Sequence, residues 1–375
     1  MQTKPLKIFI SALEYSSNIH LTYLLDELQN QNIPFEVCGI FDTSLNPQYQ
    51  SDFSSNEFRI MGFIGVLKLI PRLLKLKSQL AKIAQDCDIA LFMDSSSFNI
   101  PLIKEIKKHK LPPKIIYYIL PQVWAWKAYR AEILAQICDE LWGILPFERD
   151  FYPPKANLHY IGHPLLDEIP FSFTQPNPTQ TLAYLPGSRK SEIKSLFPIF
   201  REIAKILKEQ NKQALLIIPK TFKNANLEEI YGDLSDFTLS DNLNSLQKCE
   251  FAFVCSGTAT LETTLMGIPT ILAYKAKTLD YWIAKSLVKL QYIGLSNLFL
   301  QYATYQDFTH KLEIPPIHPE FLQHQVNPQT LLEAYKNFDY THFFKQKEKL
   351  ITYLQQGSVQ NCAKKIKNFY KNTIN

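Results

Sequence analysis

The chain has 375 residues, of which 46% are hydrophobic and 20% charged, and its formal net charge is +5. This length predicts two domains of about 170 residues each, and the composition excludes the collagen-like and intrinsically disordered classes. The charge is too small to indicate nucleic acid as a partner.

The cysteines and the apolar runs constrain the compartment. The six cysteines are scattered, with no CxxC pair and no metal-ligand spacing, so we expect a reducing compartment and no metal site. No signal-peptide pattern precedes the first apolar run, and no run reaches the roughly 18 apolar residues of a spanning helix. We expect a cytoplasmic protein, and contact with a membrane surface stays open.

The first half of the chain alternates short apolar runs with helix-period stretches. We predict strands at residues 7–12, 35–40, 89–93, 115–120 and 140–144. This alternation predicts an α/β domain with a parallel sheet, in which ligands bind at the carboxyl ends of the strands. The loop after the first strand, in "SALEYSSNIH", then supplies Glu14, Ser16 and Asn18 as candidate groups of an acceptor site.

Residues 58–85 form a basic and apolar segment. They include six basic residues and no acidic one, and the apolar residues share one broad face of a helical wheel. Such a segment is either an interfacial helix on an anionic membrane or a core-facing helix with a solvated basic face. The absence of acidic residues favours the membrane, and Pro71 predicts two helical pieces. The candidate membrane-contacting residues are Val66, Leu69, Leu73, Arg72 and Lys75.

Polar and aromatic residues follow the next predicted strands. Asp94 comes at the carboxyl end of a buried run, where it suits a general base, although it could instead cap the next helix through "DSSS". In "LPQVWAWKAYR", Gln122 and Trp124 could line a sugar or acyl pocket, with core packing as the commoner role of tryptophan. His163 has no nucleophile or metal ligand nearby in the sequence, so we expect a hinge contact.

A polar, proline-bearing stretch, "FSFTQPNPTQT", separates a second strand–helix series from the first. Its strands are predicted at residues 182–185, 214–218, 251–255 and 270–273. We therefore predict two Rossmann-like α/β domains that face each other across a cleft. The predicted parts are an acceptor and membrane-facing domain (1–170), a nucleotide-sugar domain (171–345) and a Lys-rich helical segment (346–375) packing across a domain or a partner.

The first turn of the second domain has the ingredients of a phosphate site. In "LPGSRKSE", Gly187 permits a close backbone approach, Ser188 can cap the next helix, and Arg189 can add a charged contact. The alternative is an ordinary strand–helix turn.

A second turn of similar character lies further along. "VCSGTATLE" places Ser256, Gly257 and Thr258 after a buried strand, and Glu262 follows where a carboxylate could accept hydrogen bonds from a ribose diol. Glu262 could equally be a solvated helix residue. Two such turns in one domain favour a diphosphate nucleotide over a solitary anion.

Several segments, taken in chain order, resemble the lipid-A-disaccharide synthase family of GT-B-type glycosyltransferases. The strings "VWAW", "LPFE", "GHP", "PGSR" and "SGTATLE" carry the resemblance and are highly specific in this order. It covers most of the chain, including "MGFIGVLKLIPRLLKLK" and "LVKLQYIGLSNLF".

The resemblance implies an inverting hexosyltransferase of lipid A biosynthesis. It would transfer 2,3-diacylglucosamine from the UDP derivative to 2,3-diacylglucosamine 1-phosphate (lipid X), giving the β-1,6-linked disaccharide 1-phosphate and UDP. No metal ion or other cofactor is implied. The implied location is the inner leaflet of the inner membrane, with peripheral association, and a homodimer stays open.

The family's site residues transfer onto matching positions. Asp94 would act as the base on the acceptor hydroxyl, and Arg189 would stabilise the departing UDP. The implied donor-binding residues are Gly187, Ser188, Glu192, Ser256, Gly257, Thr258, Glu262, Asn297 and Gln323.

The chain departs from the family pattern in four places, one of which is "LPQVWAW" where the family has "SPSVWAW". The first loop reads "LEYSSN" where the family has "GExSGD", and Ser97 replaces the second carboxylate of the family's "DxPDFN" segment. The stretch between Asn297 and Pro319 is longer than the family pattern. The longer stretch concerns the donor site, and the other three departures concern the acceptor site.

Other proteins of this architecture give alternative functions. A peptidoglycan N-acetylglucosaminyl transferase would carry a glycine-rich loop near the N-terminus, which is missing. A UDP-N-acetylglucosamine 2-epimerase would have no use for a basic amphipathic membrane segment. A non-catalytic nucleotide- or lipid-binding protein is a third alternative, and the retention of Asp94, Arg189 and Glu262 argues against it.

Overall fold

The computed structural model describes residues 4–55, 66–169, 179–223, 225–275, 290–310, 313 and 315–374, except for the side chains of residues 66–71 and 373–374. The chain forms two compact units. Unit 1 comprises Met1–Glu168 and Leu354–Asn375, and unit 2 comprises Ile169–Tyr353.

Unit 1 is built on a seven-stranded parallel sheet with the strand order β3-β2-β1-β4-β5-β6-β7. Alternate residues of β4 enter two separate core clusters, one on each face, so all five of its residues are buried. This explains the uninterrupted apolar runs of the central strands. The strands are β1 (Leu6–Ala12), β2 (Phe35–Phe41), β3 (Phe53–Ser54), β4 (Ile89–Met93), β5 (Lys114–Tyr118), β6 (Glu140–Gly143) and β7 (Leu158–Tyr160).

Helices cover both faces of this sheet. Leu80 and Ile103 belong to the core cluster on one face, whereas Leu21 and Leu25 belong to the cluster on the other. The helices are α1 (Tyr15–Asn30), α2 (Val66–Gln85), α3 (Ser96–Ile106), α4 (Tyr129–Ile137) and the short α5 (Leu165–Glu168).

Unit 2 contains a six-stranded parallel sheet with the order β10-β9-β8-β11-β12-β13. Its strands are β8 (Thr181–Leu185), β9 (Gln213–Ile217), β10 (Phe237–Ser240), β11 (Phe251–Cys255), β12 (Thr270–Tyr274) and β13 (Glu320–Leu322). Its described helices are α6 (Lys190–Lys208), α7 (Leu227–Tyr231), α8 (Thr258–Leu265), α9 (Leu295–Tyr305), α10 (Pro328–Lys336) and α11 (Tyr340–Leu354). The chain returns to unit 1 at Leu354, the last residue of α11.

The two sheets share one doubly wound topology. In each unit the first strand lies between the second and the fourth, so the strand order reverses at β1/β4 in unit 1 and at β8/β11 in unit 2. Ligands of such sheets bind at this reversal, beyond the carboxyl ends of the strands. The predicted pair of α/β domains with parallel sheets is confirmed.

The last helix, α12 (Ser358–Ile374), belongs to unit 1. Cys362 and Ile366 are buried in the same core cluster as Leu21 of α1. The Asp167 carboxylate accepts hydrogen bonds from the backbone N–H groups of Gly357 and Val359, both at 2.9 Å. These contacts fix the start of α12 on unit 1.

The described part of the basic segment, residues 66–85, forms one helix, α2, so the prediction of two pieces divided at Pro71 is wrong. Pro71 is the sixth residue of the helix, where it removes one hydrogen bond near the start and leaves the later ones intact. Leu76 and Leu80 are buried in the core, whereas Leu74 is 54% exposed.

The predicted membrane contacts are only partly described. Arg72 and Lys75 are exposed, and Leu73 is half-buried. The side chains of Val66 and Leu69 lie outside the described part. Within the described part of the chain, no helix is both long and apolar enough to cross a bilayer.

Candidate active site

The two predicted phosphate turns lie side by side in unit 2. They follow β8 and β11, which are neighbours in the sheet with Leu185 opposite Val254. The position is the strand-order reversal, so the topology brings together two turns that are far apart in the sequence.

In the first turn, a carboxylate of the chain itself lies at the start of α6. Glu192 accepts hydrogen bonds from the backbone N–H groups of Ser188 at 3.0 Å and Arg189 at 3.1 Å. The predicted capping role of Ser188 is therefore wrong, because Arg189 is the residue preceding the helix and Glu192 satisfies the N–H groups. This geometry demonstrates that the turn can hold an anionic group.

Gly187 and Arg189 frame that carboxylate. Gly187 has a φ of +118°, and a Cβ at this position would lie 2.6 Å from the Glu192 Cβ, so only glycine fits. The Arg189 guanidinium pairs with Glu192 at 3.0 Å, yet its side chain is 77% exposed. Most of its hydrogen-bonding capacity therefore faces solvent.

The second turn is more open. Gly257 and Thr258 are exposed at the start of α8, and no side chain caps this helix start. The Thr260 hydroxyl bonds the Gly257 carbonyl at 2.8 Å and so fixes the turn. Ser256 and Glu262 are half-buried on the same segment. The exposed turn and the partial positive charge of the helix start suit an anion.

Asn297 lies inside unit 2 rather than on an open surface. It is fully buried, and its amide nitrogen donates to Glu320 at 2.7 Å and to the His318 carbonyl at 3.0 Å. Its amide oxygen accepts from the Ile317 N–H at 2.9 Å. In this structure Asn297 therefore holds the segment before β13 in place, which differs from the predicted donor contact.

Gln323 is placed differently. It follows β13 at the carboxyl end, with a φ of +54°. Its side-chain nitrogen is buried, and no hydrogen-bond partner for it occurs among the described residues. A buried amide donor of this kind is costly unless a ligand or water satisfies it.

Asp94 occupies the strand-order reversal of unit 1, directly after β4. Both carboxylate oxygens are buried and have no hydrogen-bond partner within the described residues. The alternative role as a helix cap is therefore wrong: Ser95 is the capping residue of α3, and no side chain caps that helix.

Burial raises the pKa of Asp94 from 3.8 to about 6. The nearby hydroxyls of Ser95 and Ser17 lower this pKa in part, whereas the Glu14 carboxylate raises it further. Desolvation makes this carboxylate a stronger base than an ordinary aspartate.

The backbone around Asp94 is strained and is held by three neighbours. Asp94 and Ser95 have φ values of 43° and 32°, the left-handed region that L-residues avoid. The Asp94 carbonyl accepts hydrogen bonds from the Tyr117 hydroxyl and from the Asn99 amide at 3.0 Å. The Ser11 hydroxyl in turn bonds the Asn99 amide oxygen at 2.7 Å. These contacts orient the carboxylate.

The first loop offers fewer exposed candidate groups for an acceptor site than predicted. Glu14 and Ser16 are exposed, and the Ser95 hydroxyl lies 3.4 Å from the Glu14 carboxylate. Asn18 is fully buried, and its amide bonds the carbonyls of Ala12 at 3.0 Å and Glu14 at 2.8 Å. The prediction that Asn18 faces a ligand is therefore wrong, because its amide closes the loop.

The aromatic segment after β5, residues 120–130, contains both a packed residue and an exposed one. Trp124 is half-buried and packs edge-on against Phe147, with 5.5 Å between the ring centroids. Gln122 is exposed. His163 is buried, which lowers its pKa to about 3, and its backbone N–H bonds the Leu354 carbonyl at 3.1 Å. His163 thus secures the returning C-terminal segment.

Arg130 is a further candidate site residue, which the sequence patterns did not single out. Its guanidinium donates to the Ser96 hydroxyl at 2.6 Å and to the Ser97 hydroxyl at 2.9 Å, two residues that follow Asp94 closely. The signal available in the sequence was the arginine that ends "WAWKAYR". Within the described residues, no cluster of side chains suits a metal ion.

Comparisons with known proteins agree on the fold and on the family. A family model described as Lipid-A-disaccharide synthetase matches residues 8–363. The lipid-A-disaccharide synthase of Helicobacter acinonychis (strain Sheeba) is 46% identical over 366 residues, which are 96% of this chain and 97% of that protein.

Solved structures resemble the chain at low identity. The UDP-GlcNAc 2-epimerase from Neisseria meningitidis bound to UDP-GlcNAc has a TM-score of 0.60 at 13% identity, covering 98% of this chain and 100% of that one. Acinetobacter baumannii MurG has a TM-score of 0.54 at 10% identity, covering 97% and 100%. At such identities they show the fold alone, which confirms the predicted GT-B-type fold.

Proposed function

The chain belongs to the lipid-A-disaccharide synthetase family, and from this premise we propose the reaction that it catalyses. It is a hexosyltransferase of lipid A disaccharide synthesis. In the proposed reaction, 2,3-diacylglucosamine passes from UDP to the 6-hydroxyl of 2,3-diacylglucosamine 1-phosphate. The products are the β-1,6-linked disaccharide 1-phosphate and UDP.

The observation that carries the acceptor half of this proposal is the state of Asp94. Its carboxylate oxygens are buried without hydrogen-bond partners among the described residues, and its pKa is raised to about 6. At neutral pH the group is mostly ionised and can accept the proton of an acceptor hydroxyl. The hydroxyl oxygen then attacks C1 of the donor sugar, the bond from C1 to the UDP oxygen breaks, and the configuration at C1 inverts.

The donor half rests on the paired turns of unit 2. We infer that the diphosphate of UDP binds at the uncapped start of α8 and at Arg189, whose side chain is 77% exposed. Negative charge builds up on UDP as it leaves, so a guanidinium and backbone N–H groups lower the barrier. This arrangement supports transfer without a metal ion. Glu262 is the proposed partner of the ribose.

The acceptor is a lipid, so we also propose peripheral attachment to the cytoplasmic leaflet of the inner membrane through α2. Arg72 and Lys75 are exposed beside Leu74, which is 54% exposed. Basic residues beside an anionic bilayer each contribute about 1 kcal/mol.

Vesicle binding tests this attachment. Replacing Arg72 and Lys75 together by Glu should weaken binding to phosphatidylglycerol-containing vesicles by about tenfold or more. The matched control is Lys82→Glu, an exposed position nearer the end of the same helix. Equal binding by both variants would exclude this face of α2 as the attachment site.

Enzyme assays test the reaction. The purified chain is incubated with UDP-2,3-diacylglucosamine and 2,3-diacylglucosamine 1-phosphate, and disaccharide and UDP are measured. We expect both products in equal amounts, and the absence of disaccharide would overturn the proposal. Asp94→Asn should abolish turnover while UDP binding stays within about twofold of the original, since Asp94 and the UDP-binding turns belong to different units.

A further inference from the structure

Arg130 is a cation whose partners are neutral. It lies at the start of unit 1's α4, and its guanidinium donates to the hydroxyls of Ser96 and Ser97. Within the described residues no carboxylate pairs with it, whereas other basic residues of this unit, such as Lys114, do have carboxylate partners. A guanidinium has five N–H donors, and two hydroxyls leave much of that capacity unused.

The surroundings add further positive potential. Ser96 and Ser97 open α3, an eleven-residue helix whose first turn has no acidic residue and whose start has no side-chain cap. The partial positive charge of the helix start therefore adds to that of Arg130. Ser97 is exposed, so an anion can approach from solvent.

The proposed base lies beside this cluster. Asp94 is two residues before Ser96, and its buried carboxylate oxygens have no hydrogen-bond partner among the described residues. The Tyr117 hydroxyl donates to the Asp94 carbonyl. Burial raises the Tyr117 pKa, and both Asp94 and Arg130 are close enough to act on that pKa, the first raising and the second lowering it. The start of α3 thus has a buried carboxylate, that of Asp94, and a guanidinium without a carboxylate partner among the described residues, that of Arg130.

We propose that Arg130, with the hydroxyls of Ser96 and Ser97, binds the phosphate monoester of the acceptor sugar. This inference rests on the proposed function and assigns the acceptor's orientation within it. The acceptor carries its phosphate on C1 and its reacting hydroxyl on C6, the carbon attached to C5, and C1 and C5 flank the ring oxygen. With the phosphate on Arg130, the hydroxyl is directed to Asp94. A planar guanidinium binds phosphate through two parallel hydrogen bonds, which a point charge cannot match.

Acceptor kinetics test the assignment. Arg130→Gln should raise KM for the 1-phosphate acceptor by about 30-fold, while KM for the UDP donor stays within about twofold. The 1-O-methyl glycoside, which lacks the phosphate, should be used equally by both enzymes. Lys104→Gln removes a charge from an exposed position on α3, the helix that Ser96 and Ser97 open, and should leave KM for both acceptors unchanged. Arg130→Lys keeps the charge and should recover only part of the affinity.

Calorimetric binding of glucosamine 1-phosphate gives a second measurement that does not depend on turnover. The unaltered chain should bind this probe more tightly than Arg130→Gln does, and more tightly than it binds inorganic phosphate. If the chain makes no disaccharide but this difference is present, the proposed function fails and the phosphate subsite stands. An equal loss with both acceptors, an unchanged KM or weakened UDP binding would each overturn the subsite.

Discussion

Asp94→Asn should stabilise unit 1 at neutral pH while it abolishes transfer. The pKa of Asp94 is raised from 3.8 to about 6, chiefly because its carboxylate is desolvated. The folded state therefore holds this proton more tightly than the unfolded state. Stability from this group is complete at low pH, falls as the pH rises above the unfolded value, and is fully lost above about 6.

The magnitude follows from the size of the shift. A pKa difference of roughly two units corresponds to about 3 kcal/mol at pH values near 7.5, and to about 1 kcal/mol near 4.5. A neutral asparagine of similar shape has no ionisation cost, and its amide N–H groups can donate to the Ser95 and Ser17 hydroxyls beside this position. We therefore expect Asp94→Asn to raise the free energy of unfolding by about 2–3 kcal/mol near pH 7.5, and by about 1 kcal/mol near pH 4.5.

Urea denaturation followed by tryptophan fluorescence measures this difference. Three of the four tryptophans, Trp124, Trp126 and Trp142, belong to unit 1, so the signal reports mainly on the unit that contains Asp94. Asp86→Asn, at an exposed position in the same unit, is the control and should change stability little. If Asp94→Asn is no more stable than the unaltered chain near neutral pH, the carboxylate is not desolvated, and the argument for a strong base fails.

Three further predictions concern Asp94 and the first phosphate turn of unit 2. The value of kcat/KM for the acceptor should fall about tenfold per pH unit below about pH 6, as Asp94 becomes protonated; a flat profile down to about pH 5 would exclude it as the base. Glu192→Gln should lower the Kd for UDP by about fivefold in calorimetry, because the phosphate then displaces a neutral group from the Ser188 and Arg189 N–H groups; weaker binding would instead place Glu192 on the donor. Gly187→Ala should destabilise unit 2 by about 2–3 kcal/mol in thermal denaturation and weaken UDP binding, because the alanine Cβ would lie 2.6 Å from the Glu192 Cβ. Unchanged stability would show that the turn can relax.

The sequence predicts the central strands well and the edge strands poorly. β4 and β11 are predicted with their observed ends because they are buried on both faces and read as uninterrupted apolar runs. The strands that were missed, β3, β7, β10 and β13, are short, lie at the sheet edges and contain no fully buried residue. An edge strand of two to four residues forms only because a neighbouring strand pairs with it, and the residues of the edge strand itself do not show that such a neighbour is present.

The position of a candidate residue in the fold can be predicted where strand topology alone decides it. Residues that follow β4, β8 and β11 lie at the strand-order reversals whatever their side chains are, so the positions of Asp94, Gly187 and Gly257 could be predicted. The roles of asparagine side chains are harder to predict, because an amide can bind a ligand or the backbone of a loop equally well. In this structure Asn18 and Asn297 both bind loop backbone.

Partners that depend on tertiary packing could not be predicted either. Arg130 of α4 reaches the Ser96 and Ser97 hydroxyls at the start of α3, which lie more than 30 residues earlier in the sequence. A sequence shows the charge of each side chain but not the group that neutralises it.

The shared topology of the two units explains why the chemistry divides between them. In both units the reversal lies between the first and fourth strands, and turns follow both strands at that point. In unit 1 these turns carry the carboxylates of Glu14 and Asp94, whereas in unit 2 they carry glycines, hydroxyls and Arg189, with the Glu192 carboxylate on the first of them. In the proposed reaction, the turns of unit 1 supply the proton acceptor and those of unit 2 supply the groups that bind the anion. An inverting transfer to a hydroxyl requires both, because the proton must leave the acceptor while charge builds up on UDP.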